Sequence, residues 1–146
     1  MKAVLILAAL LVATAQRSAG QRLQSWRGCY SLTWSDSSNG RDLPTRVRLD
    51  AQRDTLMHHP PFPPMYVVSG PSTGSESGAP FVRLSQTWWW PVGRDSVHFT
   101  VVDVLNVQWD VNLGEDGDSL VGEAQGMDGD AAYGPLSLTL RRRSCR

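Results

Sequence analysis

Lysine is almost missing from this chain. Of its 146 residues only Lys2 is a lysine, and Lys2 stands in a segment that reads as an export signal. The positive charge of the mature protein is then carried by arginine alone, which excludes Schiff-base and lysine general-base chemistry. Net charge is missing too: Lys and Arg number 14 and Asp and Glu 14, so no overall field points to nucleic acid or to an anionic membrane. Sustained helical periodicity is absent beyond the N-terminus. There is no G-x-S-x-G elbow, no phosphate-binding glycine loop and no paired-cysteine zinc spacing. No nucleophile–base pair can be nominated and the residues call for no cofactor, so the chain reads as a binder rather than an enzyme.

Long apolar runs occur in one place only. Residues 3–12 are continuously apolar, follow the positive Lys2, and end at Ala13-Thr14-Ala15, a small-residue cleavage pattern. Ser18-Ala19-Gly20 offers a second such site. The run is shorter than the roughly 20 residues that cross a bilayer. The expectation is a signal peptide over 1–20, cleaved near Ala15 or Gly20, and a single mature domain over 21–146. Such a chain is exported, to the periplasm or beyond the cell, and is not membrane-spanning. Cysteine is equally scarce: Cys29 and Cys145 stand at the two ends of the mature chain. In an oxidising compartment they read as one bridge joining its first and last segments.

What is present is strand. Residues 106–113 alternate Val107, Trp109, Val111 and Leu113 against Gln108, Asp110 and Asn112. Residues 96–102, 135–140, 29–34 and 45–49 alternate in the same way. Asp- and Gly-rich turns lie at 92–95, 114–118 and 126–130. The stretch 54–80 breaks the pattern with six prolines and a polar run, and reads as a loop outside the walls holding at most one short strand near 65–69. By parity both cysteines share the polar faces of their strands, so both point outward. A closed antiparallel up-and-down barrel of about eight strands sets first and last strands side by side and removes exposed edges. A β-sandwich is the alternative.

Trp26-Arg27-Gly28-Cys29-Tyr30, followed by Leu32 and Trp34, resembles the opening of lipocalin-like (calycin) barrels. Those carry a Gly-x-Trp pattern on the first strand and an arginine from the last strand over the tryptophan. The resemblance implies that Arg141, Arg142 or Arg143 takes that place. The departures are Tyr30 at the tryptophan position and Trp26 on the other side of Gly28. The chain also resembles small exported bacterial proteins that open with Gly-Cys-Tyr-x-Leu and close with an Arg-rich strand and a cysteine. Those share the hairpin seen here as Trp90-Pro91 and Gly93-Arg94-Asp95-Ser96-Val97, and the resemblance brings no activity with it.

Six tryptophans in so short a chain are its other unusual feature. Indole offers large apolar area and one N–H donor, which suits cores and ligand pockets alike. Alternation turns Trp34 and Trp109 inward, with either Trp89 or the Trp88/Trp90 pair, opposite the small residues Gly122, Ala124 and Gly126. A hollow interior would bind a small apolar or amphipathic ligand against Tyr30, Trp34, Trp88, Trp90 and Trp109. A filled interior would make the chain a solid interaction module that binds a protein or envelope component through its loops. The expected state is a monomer. His58-His59 diverge in extended backbone and make no metal site, and His98 points to solvent. Arg141-Arg142-Arg143 reads as a strand leaving the barrel, with Arg141 and Arg143 outward and Arg142 at the rim, and no nucleic-acid partner is expected.

Overall fold

The computed structural model describes residues 24–35, 43–55, 63–71, 80–93, 95–103 and 105–145. The proposed signal, His58-His59 and the polar run 72–78 lie outside them. The alternating segments become eight strands: β1 (Gly28–Trp34), β2 (Arg46–Arg53), β3 (Tyr66–Pro71), β4 (Phe81–Val92), β5 (Ser96–Val102), β6 (Gln108–Asp116), β7 (Ser119–Asp128) and β8 (Ala131–Arg143). Each pairs antiparallel with the next, and β8 pairs with β1, closing the barrel. The chain is therefore all-β and up-and-down. Cys29 and Cys145 are bridged, with Cα atoms 5.2 Å apart.

Several boundaries differ from the sequence reading. Asn106 has φ 64°, which ends the extended run, so β6 starts at Gln108. The acidic turns shrink to Gly117-Asp118 and Gly129-Asp130, since β6 and β7 run on to Asp116 and Asp128. Gly117 and Gly129 take positive φ at the first turn position, where two-residue hairpin loops favour glycine. The 54–80 stretch is not wholly outside the walls. Its residues Tyr66–Pro71 are β3, a wall strand whose Tyr66 and Val68 face the core.

The core runs the length of the barrel. Trp89, Phe99, Val97, Val111, Leu113, Val47 and Leu140 are fully buried, and Trp109 is nearly so. Buried indoles need partners for their N–H groups. Trp89 Nε1 donates to the Asp50 carbonyl at 2.9 Å, and Trp109 Nε1 to Asp103 Oδ2 at 3.0 Å.

Candidate functional site

Three of the five candidate aromatic residues point inward, but at opposite ends. Trp34 and Trp109 meet edge to face, centroids 6.4 Å apart. The backbone beneath them is shaped to fit: Trp109 lies opposite Gly126, where a Cβ would come within 3.1 Å of the indole. Small residues here make room for large rings. Tyr30 lies at the other end, across from Arg142.

That end is closed by a cluster. A single helical turn over 24–26 brings Trp26 to 2 % exposure, its Nε1 donating to Glu115 Oε1 at 2.8 Å. The Tyr30 hydroxyl donates to the Trp26 carbonyl at 2.7 Å and accepts from Arg142 at 3.0 Å. Arg142 also donates to the Ser25 carbonyl, and its guanidinium lies 5.6 Å from the Tyr30 ring centroid. Burial pushes the Tyr30 phenol above its ordinary range, against the lowering pull of Arg142. The hydroxyl is thus a neutral donor. A recess of about 420 Å³ opens beside this cluster, bordered by Arg142, Glu115 and Asp118 together with Trp26, Tyr30 and Leu120.

The other two aromatic candidates stand on the outside. Leu84 packs against the core. Strict alternation from it would turn Trp88 and Trp90 inward as well. A bulge intervenes: Val67 and Ser69 of β3 oppose Trp88 and Arg83 of β4, and Gln86 takes φ 50°. The parity flips, so Trp89 enters the core while Trp88 and Trp90 face out. Trp88 Nε1 donates to Asp54 Oδ2 at 2.8 Å, and Arg83 pairs with the same oxygen at 2.5 Å. Trp90 stacks on His98, centroids 4.0 Å apart.

His98 is on the outer face, as alternation requires, but it is not free in solvent. Asn112 Oδ1 lies 2.8 Å from its Nδ1, and Asp110 Oδ1 3.2 Å from its Nε2. Asp110 also accepts from Thr100 Oγ1 at 2.6 Å and Gln108 Nε2 at 2.8 Å. Burial raises the Asp110 carboxyl, but the hydrogen bonds from His98, Thr100 and Gln108 outweigh it and hold it below its ordinary value. Among the described residues the hydroxyl beside this pair is that of Thr100, and it is spent on the carboxylate. Sequence reasoning missed Asp54 and Trp26 as partners because Trp88 stands 34 positions from Asp54 and Glu115 stands 89 from Trp26. It missed Asp103 because its reach to Trp109 depends on the shape of the β5–β6 turn.

On the opposite side of the barrel β1 carries small outward residues between two arginine-bearing strands. Ser31 lies between Arg46 of β2 and Arg141 of β8, and Cys29 between Arg48 and Arg143. Arg142, one residue out of phase with its neighbours, turns to the closed end instead. A second recess, about 250 Å³, is bordered by Arg27, Arg48 and Asp50 at the lower edge of this face.

Comparison of the chain with protein families, with curated proteins and with solved structures finds no match. The reading of function therefore rests on the geometry.

Proposed function

We propose that this chain is an exported binding module whose barrel is a solid support and whose outer surface makes the contacts. One observation carries the reading: the inward glycine opposite Trp109 is already filled to 3.1 Å by the indole. Trp34 and Trp109 touch each other rather than a space between them. A close-packed interior is the norm, and this one has its aromatic rings interlocked and their N–H groups bonded within the protein. The bridge fits an oxidising compartment and supports export.

The calycin likeness belongs to the same proposal. Arg142 over Tyr30 supports it, tyrosine standing where those barrels carry tryptophan. An apolar ligand inside the barrel is the competing reading. Titration of the tryptophan emission with a fatty acid, a retinoid-like probe and haem separates the two. A solid barrel gives no saturable quench or shift with any of the three. A saturable change that disappears in Trp34→Phe and Trp109→Phe overturns the solid reading.

A further inference from the structure

Net neutrality hides a separation of charge around the barrel. On the outer face of β8, β1 and β2 the register builds two rows, Arg141–Ser31–Arg46 and Arg143–Cys29–Arg48. Neighbouring strands lie about 4.8 Å apart, so the two arginines of each row start about 10 Å from one another. The rows themselves are two residues, about 7 Å, apart along the strands. Between them the floor is low: Ser31, Thr33 and the bridged Cys29. Arg48 pairs with Asp50 at 2.7 Å. Among the described residues no carboxylate comes within ion-pair distance of Arg46, Arg141 or Arg143. Meanwhile Asp110, Asp116, Asp118, Glu123 and Asp128 gather on β6, β7 and the turn between them.

We propose that this arginine face docks an anionic glycan, a polysaccharide carrying carboxylate or sulfate groups along its chain. The proposal rests on the reading that the outer surface, not the interior, binds. Guanidinium forks match such groups bidentately, and arginine is the cation of choice for that geometry. Held on paired strands, Arg46, Arg141 and Arg143 keep fixed spacing, with Arg48 already paired to Asp50 beside them, which suits charges recurring along an extended chain.

Two other polyanions fit less well. An anionic bilayer is favoured by apolar side chains beside the cations. The large exposed apolar residues, Val82, Val92, Leu105 and Met127, lie on other elements. Single-stranded nucleic acid is held by stacking on open aromatic faces. The aromatic ring at this face is Phe81, and Arg46 and Arg48 already stand over it, 5.5 and 5.6 Å from its centroid.

The test uses the disulfide-intact chain, its fold checked by circular dichroism. Binding is measured to dextran sulfate, polygalacturonate, neutral dextran, a single-stranded oligonucleotide and phosphatidylglycerol vesicles. The proposal expects saturable binding to one or both charged glycans, falling steeply with added salt, and none to neutral dextran. Arg46→Ala with Arg141→Ala should weaken it about tenfold. Gln125→Glu with Met127→Glu changes net charge equally but on β7, and should leave binding within about twofold. Equal loss in both pairs, or no binding to either charged glycan, overturns the glycan face. Tighter binding to the oligonucleotide or to vesicles also overturns it and gives the face to that partner. An interior ligand found by tryptophan titration is a separate result, and it removes the surface-binding reading itself.

Discussion

At the scale of single residues the indole rings decide what the barrel is. Trp109 is held by Asp103, whose Oδ1 also accepts the backbone N–H groups of Leu105 at 2.9 Å and Val107 at 3.0 Å. One buried carboxylate thus ties the β5–β6 turn to the ring that fills the core. Trp109→Ala should cost about 3–5 kcal/mol in urea unfolding, the range for emptying a packed aromatic site. A loss under about 1 kcal/mol would mean that the site was already hollow. Asp103→Ala should cost about 2–3 kcal/mol, because it strands buried donors. Asp110 adds a dependence on pH. Its folded pKa lies below the ordinary 3.8, so its stabilising contribution is complete above that value and fades as pH falls through the folded one. Urea midpoints of Asp110→Asn should therefore lie below the parent at neutral pH and converge with it in acid. A gap of constant size down to the acid limit would show that ionisation of Asp110 plays no part.

At the scale of elements, alternation made β1, β5 and β6 legible because each runs without interruption. It failed on β4 for a definite reason. The shift of parity is made by a bulge at Gln86, an exposed polar residue in a conformation that nothing in its chemistry announces. The choice between Trp89 and the Trp88/Trp90 pair therefore could not be made from spacing. Deleting Gln86 removes the residue that shifts parity and leaves Leu84, Thr87 and Trp89 in unbroken alternation, with Trp88 and Trp90 still outward. The expected result is a native-like near-ultraviolet circular dichroism spectrum with cooperative unfolding retained. Loss of that spectrum would show that the shift of parity is not made at Gln86. Gly122 gives a second test on the β6–β7 ladder. A Cβ there would stand 2.0 Å from the Asn112 carbonyl oxygen, a clash with backbone rather than a yielding side chain. Gly122→Ala should destabilise by at least about 2 kcal/mol, whereas a change under about 0.5 kcal/mol would show that the ladder yields freely.

For the whole molecule the two cysteines carried the most information, because the parity of two strands and one bridge together favoured closure. The arginine face was legible only in part. Arg141 and Arg143 read as outward from alternation, but their juxtaposition with Arg46 and Arg48 depends on β8 meeting β1, a contact across nearly the whole chain. The bridge secures that same seam. Cys29 and Cys145 are 116 residues apart, and closing so long a loop restricts the unfolded chain by about 4–5 kcal/mol in the chain-entropy treatment. The seam also has its own backbone ladder from Cys29 opposite Arg143 to Trp34 opposite Leu138. Cys29→Ser with Cys145→Ser should therefore keep the β-type circular dichroism while lowering stability by up to about 4 kcal/mol. It should lower affinity for a charged glycan as well, since fraying at Cys29 would separate Arg48 from Arg143 before it touched Arg46 and Arg141. Free thiols in the parent protein, or a double variant with unchanged melting temperature and binding, would show that the ladder alone holds the barrel shut.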